Sequence, residues 1–316
     1  LLVHFTLTFV ERLYLAALPG VGFLITLGSF LILGLTARCA IATIARVPKS
    51  LAIGVVLPAL LFVVRPITMR PGAAYIYEGE TVYNTIRVAA QDAKNPDGKT
   101  YTRNLLILNE GFAVHSVSAE RHAYHFPLVG SVWDYMGQLP VMCQPPGPTL
   151  DVAIVGLAGG TVATELVELY GKTRLFDKVR IKGAEIDPLI LKVAKDYFRL
   201  NYPEEVEAKA EDGRTFLRRN KGPFDIIVTD AYRQPYIPFH LTTQEYFSLV
   251  RDRLKPRGIC SINVGSTGKD ELIIQQILAT MGSVFPEVFI LEIPRVSPLF
   301  ANYLVLASRE KGVIHR

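Results

Sequence analysis

Residues 152–161, VAIVGLAGGT, run from an apolar strand straight into a glycine-rich turn, and a later apolar stretch ends in Glu185-Ile186-Asp187. No other feature limits the possible folds as tightly. Where a strand of an open parallel sheet turns into a helix, glycines let the backbone approach a ligand. An acidic side chain closing the next strand can accept hydrogen bonds from two ribose hydroxyls. The series continues with Asp212-Gly213 and with Asp230 at the end of the apolar run 224–230. Successive strand ends thus offer a glycine or a carboxylate at one edge of the sheet, which predicts a nucleoside site there.

From residue 150 onward two periodicities alternate. Strand patterns at 152–155, 179–185, 206–210, 225–229, 258–264 and 288–293 are separated by helical patterns at 161–170, 189–197, 213–219, 243–254 and 270–284. That order predicts a parallel sheet covered by helices on both faces. A last strand at 302–307 closes it, antiparallel to its neighbour in sequence. Upstream the pattern has period two, at 73–77, 85–89, 101–108 and 112–118, as short antiparallel strands require. Asn95-Pro96-Asp97-Gly98 supplies a hairpin turn. Residues 126–139 read as an amphipathic helix, and the stiff 144–148, QPPGP, cannot continue it. The expected division is membrane helices over 1–70, a small β domain with its linker helix over 71–148, and a nucleoside-binding domain over 149–316.

Half of the chain is hydrophobic, and the excess lies at the start. Residues 13–36 carry no charge, a length sufficient to cross a hydrocarbon layer of ~30 Å. The run 51–64 contains Pro58 and is expected to cross tilted or to lie re-entrant. A cleaved signal peptide fits poorly, because the first run is too long and Glu11-Arg12 stand where a basic leader belongs. An opening Leu1 and an apolar 1–10 suit the C-terminal portion of a longer membrane protein. The expectation is an integral membrane protein whose partners include the lipid bilayer. Arg38, Arg46 and Lys49 between the runs, against Arg65 and Arg70 after them, leave its orientation open.

The net charge of +5 is modest and basic residues alternate with acids, which disfavours nucleic acid as a partner. Cys39, Cys143 and Cys260 form no disulfide framework and suit a reducing compartment. Arg121-His122 and His125 match no metal-site spacing, so no metal is expected.

With these motifs in place, the chain resembles the spermidine synthase family, the polyamine aminopropyltransferases, from Tyr75 to the C-terminus, and within it the bacterial branch fused behind membrane helices. The resemblance implies a methyltransferase-like Rossmann sheet preceded by a small antiparallel β domain. It also implies a small-molecule substrate, S-adenosylmethionine or its decarboxylated form. Gly156, Gly159 and Gly160 stand in the family's glycine-rich turn; Glu185 and Asp187 stand where a carboxylate holds the ribose; Asp212-Gly213 stand where a pair contacts the adenine amino group; Asp230 stands at the mouth of the active site. Glu110, His115 and Asp134 fall near positions that contact the amine. Pairing as a homodimer through the β domain is also implied, and membrane helices offer a different membrane-protein partner as the alternative. Because the nucleoside is made in the cytosol, the C-terminal domain is expected on the cytoplasmic face.

Two positions depart from the family. Its catalytic loop reads Asp-Ser-Ser-Asp-Pro, whereas this chain reads Asp230-Ala-Tyr-Arg-Gln234, with Arg233 at the general-base position. A guanidinium cannot take a proton from an attacking amine and disfavours a cationic substrate. The aspartate of the glycine-rich turn is Gly159. Tyr232 and His240 are the residues left to serve the acceptor, although Tyr232 can equally pack and His240 can cap the helix that follows. Trp133 can line the groove, but its apolar area favours the core. Aminopropyl transfer to a diamine is thus the implied reaction. Methyl transfer to another acceptor, and a non-catalytic nucleoside-binding or assembly module, are its alternatives.

Overall fold

The computed structural model describes residues 75–94, 98–109, 113–118, 128–233, 237–266, 272–294 and 301–314. Both apolar runs, at 13–36 and 51–64, and the hairpin residues 95–97 lie outside them. Residues 74–316 form one compact unit. Among the described residues no helix is long and apolar enough to cross a membrane, which corrects the integral-membrane expectation; the uncharged runs that prompted it are not among those residues.

Strands β1 (Tyr75–Glu80), β2 (Thr85–Lys94), β3 (Thr100–Leu108) and β4 (Val114–Val117) form an antiparallel sheet in sequence order. Ile86, Val88, Leu106 and Leu108 alternate onto one face, as a period of two dictates. That face buries Ile190, Val193 and Phe198 of a helix of the second sheet, α4 (Pro188–Phe198). The expected helix over 126–139 is instead two short ones, α1 (Val132–Gly137) and α2 (Leu139–Cys143). Pro140 has no N–H to continue the ladder, so the chain restarts at Gln138, whose carbonyl accepts from the Val141 amide at 2.9 Å.

The second sheet contains β5 (Thr149–Val155), β6 (Lys178–Glu185), β7 (Val206–Ala210), β8 (Phe224–Thr229), β9 (Leu254–Ser266), β10 (Glu287–Glu292) and β11 (Ala301–Ser308). Its order is β10-β11-β9-β8-β5-β6-β7. Pairings from β9 through β7 are parallel, whereas β11 runs antiparallel to both β9 and β10. This is the expected doubly wound sheet with a reversed last strand. Crossovers are made by α3 (Thr161–Leu166), α4, α5 (Gly213–Arg219), α6 (Gln244–Arg253) and α7 (Leu272–Gly282). The helix expected to reach residue 170 widens after Leu166 into a π turn, Val167–Gly171, closed by the Lys172 amide on the Val167 carbonyl at 2.9 Å.

The winding reverses at β5: β6 and β7 lie on one side of it, β8 and β9 on the other. A crevice at the carboxyl ends of the strands is expected where the order reverses. At the opposite end Lys255 Nζ bridges Asp151 (2.8 Å) and the buried Asp225 (2.7 Å), tying the starts of β5, β8 and β9.

Candidate active site

Backbone hydrogen bonds stitch the carboxyl ends together. The amides of Gly156 and Leu157 donate to the Ala184 carbonyl at 2.9 and 3.0 Å, Glu211 donates to Glu185 at 2.9 Å, and Asp230 donates to Val155 at 2.8 Å. Residues far apart in sequence are therefore neighbours, and Glu185 and Asp212 lie beside one another. Gly156 has φ +87°, and a Cβ there would stand 2.6 Å from both the Ala231 nitrogen and the Asp230 carbonyl oxygen. Only glycine permits so close an approach of the two strand ends.

Glu185 accepts from the Ala158 amide (3.0 Å) and the Asp187 amide (3.2 Å), so it shapes the glycine turn while closing β6. Burial pushes its carboxyl up to about 6. Asp187 is fully buried and its oxygens are engaged. One caps α4 through the Leu189 amide (3.0 Å), and the other takes Thr81 Oγ1 (2.6 Å) and Asn84 Nδ2 (3.0 Å) at the β1–β2 turn. It anchors the small sheet; Glu185 is buried as well, and each of its oxygens accepts one backbone amide, which leaves a lone pair on each.

Gly159 donates its amide to Ser116 Oγ at 2.8 Å, and a Cβ on it would lie 2.7 Å from the Ser116 Cβ. Next to it, Thr161 Oγ1 accepts from the Val117 amide (3.0 Å) and donates to the Val117 carbonyl (2.9 Å). Strand β4 lies directly on the turn, so the missing aspartate is explained by packing.

Asp212 caps α5 through the Thr215 amide (2.9 Å), and its second oxygen meets His240 Nε2 at 2.8 Å. Gly213 allows this close packing, since a Cβ would stand 2.2 Å from Val155 Cγ1. Asp230 accepts from Trp133 Nε1 (3.0 Å) and Asn263 Nδ2 (2.9 Å). Burial outweighs both donors and raises its carboxyl to about 6. Tyr232 does not reach an acceptor position. Its hydroxyl donates to the Asn263 carbonyl (2.8 Å) and accepts from the Gly265 amide (2.6 Å), and burial pushes its phenol well up.

The remaining candidates separate. Arg233 is exposed, and Glu110 lies outside the described residues. Asp134 is buried and accepts from the Val129 and Gly130 amides, both at 2.9 Å, so it shapes the entry to α1. His115 Nε2 is buried without a partner, and burial lowers its imidazole to about 4. Trp133 is in the core as expected, yet its indole N–H also reaches the site. Cys143 and Cys260 are buried free thiols, each raised to about 12 by burial. Among the described residues no group of His, Cys, Asp and Glu is placed to hold a metal ion.

Asn263 is the residue that sequence reading missed here. The register of β8 on β9 pairs Thr229 with Ile262, which sets Asp230 beside Asn263. A polar residue late in an otherwise apolar strand was the signal.

Behind the turn, Glu165 of α3 is fully buried against Gly137 with neither carboxylate oxygen hydrogen-bonded. Burial first, and then the Asp134 charge, raises its carboxyl well above the ordinary value. The folded state therefore holds a proton the unfolded chain releases, so its contribution is full at low pH and is lost as pH rises towards the folded value. Glu165→Gln is expected to leave thermal stability unchanged near pH 4 and raise it above that, by roughly 1 kcal/mol or 2–4 °C at pH 8. Melting curves across pH check this, and parallel curves for the two proteins contradict it.

Residues 132–313 match the family described as the spermine/spermidine synthase domain. A probable polyamine aminopropyl transferase of Bifidobacterium longum is 31% identical over 247 residues, 75% of this chain and 49% of that protein. A probable spermidine synthase of Corynebacterium glutamicum superposes with TM-score 0.58 at 18% identity, covering 76% of this chain and 81% of that one. A spermidine synthase in complex with the transition state analogue AdoDATO gives 0.53 at 20% identity, covering 75% and 72%. The chain spans about half the length of the first curated relatives it matches.

Proposed function

The chain belongs to the spermine/spermidine synthase family, and from that premise we propose that it transfers an aminopropyl group from decarboxylated S-adenosylmethionine to a polyamine acceptor. Glu185 holds the ribose, Asp212 meets the adenine amino group, and the exposed Ile186 gives the base an apolar face. A structural neighbour solved with AdoDATO supports a ligand of this kind.

One observation carries the acceptor half: Asp230, aimed by two neutral donors, Trp133 and Asn263, stands at the strand end next to the glycine turn. In the transfer the amine nitrogen bonds to the propyl carbon as that carbon's bond to sulfur breaks. Methylthioadenosine leaves as a neutral thioether, and the proton lost by the amine passes to Asp230. Arg233 cannot take it. A carboxyl near 6 is ionised at neutral pH yet more basic than an ordinary aspartate, which suits that step. The sulfonium supplies the leaving-group activation, so the protein contributes mainly alignment and exclusion of water.

Calorimetry tests the nucleoside half. The protein is expected to bind methylthioadenosine, and Glu185→Gln to weaken it by about 1.5–3 kcal/mol, the worth of hydrogen bonds to a charged acceptor. Absence of heat with methylthioadenosine, S-adenosylmethionine and its decarboxylated form would overturn the reading.

A further inference from the structure

Sequence reading left His240 two roles, base at the acceptor or cap of the helix that follows, and the structure gives it neither. The cap of α6 is Thr243, whose Oγ1 accepts from the Tyr246 amide at 3.3 Å. His240 sits just before it in a 3-10 turn, Phe239–Leu241. Its Nε2 lies 2.8 Å from Asp212 Oδ2, and its carbonyl accepts from Arg214 Nη1 at 3.3 Å. The two residues flanking Gly213 thus hold the imidazole and the backbone of a single residue. Both side chains of the pair are 34% exposed, so they face an open surface, unlike the buried donors around Asp230. Phe239, 80% exposed, stands edge-on to the imidazole with ring centroids 5.8 Å apart.

We propose that His240 is a positioning residue of the nucleobase subsite, fixing Asp212 as the acceptor for the exocyclic amino group of adenine, and takes no part in moving the proton of the amine. The assignment rests on the nucleoside reading given above. A carboxylate oxygen has two lone pairs; His240 occupies one on Oδ2, and its direction sets where the other points. Asp212 Oδ1 is already committed to the Thr215 amide, so the outward-facing oxygen is the one available to a base. Burial alone would raise the Asp212 carboxyl, yet the Thr215 amide and His240 hold it below its ordinary value, so it stays an acceptor at any working pH. An amino group donates to such an oxygen, whereas the carbonyl of a 6-oxopurine repels it.

The experiment compares binding of methylthioadenosine and methylthioinosine to the wild type, His240→Ala and His240→Gln, together with aminopropyl transfer at saturating donor. Expected results are a wild-type preference for the adenine form, a loss of about 5–10-fold in that preference in His240→Ala, and an unchanged rate at saturation. His240→Gln, whose amide nitrogen reaches a position similar to Nε2, is expected to restore the preference. Unaltered preference in His240→Ala with a collapsed saturated rate overturns the assignment and makes His240 the base. Wild-type protein that binds neither nucleoside overturns the reading of the whole site, and this assignment with it.

Discussion

Asp230→Asn is expected to lower aminopropyl transfer by about 10²–10⁴-fold, the range that a positioned general base supplies, while methylthioadenosine still binds. Asparagine fills the same volume but can neither take a proton nor attract an ammonium group. Two neighbours make the effect separable from misfolding. Trp133 donates to one carboxylate oxygen and Asn263 to the other. The asparagine carbonyl keeps the Trp133 bond, and the Asn263 amide turns so that its Oδ1, unpaired in the wild type, accepts from the new NH2, so the side chain remains aimed when its charge is gone. The wild-type rate should fall as pH drops through about 6, where Asp230 takes up its proton, and this limb should vanish in Asp230→Asn. Trp133→Phe removes a donor that favours the ionised form, and the limb should move to higher pH. A rate profile that is flat through pH 6 in the wild type would place the proton elsewhere.

Gly156→Ala should destabilise the fold by roughly 3 kcal/mol, about 1–2 from the left-handed backbone and 1–3 from overpacking. The positive φ at this position is forbidding for a side chain, and the atoms it would strike belong to the backbone of Asp230 and Ala231, which cannot rotate away. Thermal unfolding should show a fall of roughly 6–12 °C. Gly130→Ala is the fitting comparison. It also has a positive φ, +76°, but a Cβ there meets nothing within 4 Å, so backbone strain is its whole cost. Equal losses in the two variants would show that the crowding at Gly156 is relieved by movement of the strand end.

The sheet edge that gathers the glycine turn and the carboxylates was legible because its signals are local. A glycine turn after an apolar strand, and carboxylates closing the next ones, can each be read within a few residues, and the parallel order places them together. Most of what was not legible depends on partners distant in sequence. Asp187 looks like a ligand residue until Thr81 and Asn84 take its second oxygen. Asp134 and Tyr232 are polar residues in suggestive places, yet both serve nearby backbone amides or carbonyls. Asn263 was hidden because its importance comes only from the β8–β9 register. The amphipathic pattern over 126–139 hid a break: Pro140, one residue past that range, belongs to the first turn of a second short helix that starts at Leu139. The membrane expectation rested on residues 13–36 and 51–64, and no helix among the described residues fulfils it.

The seat of strand β4 on the glycine turn has a consequence for where this molecule can be divided. Ser116 and Val117 complete the hydrogen bonding of Gly159 and Thr161, and Thr81 and Asn84 secure Asp187 beside Glu185. All four precede the residues matched to the family, which begin at 132. A fragment trimmed to that match would keep every carboxylate of the crevice and lose the groups that set their geometry, so the smallest unit that preserves the crevice reaches back to the β1–β2 turn.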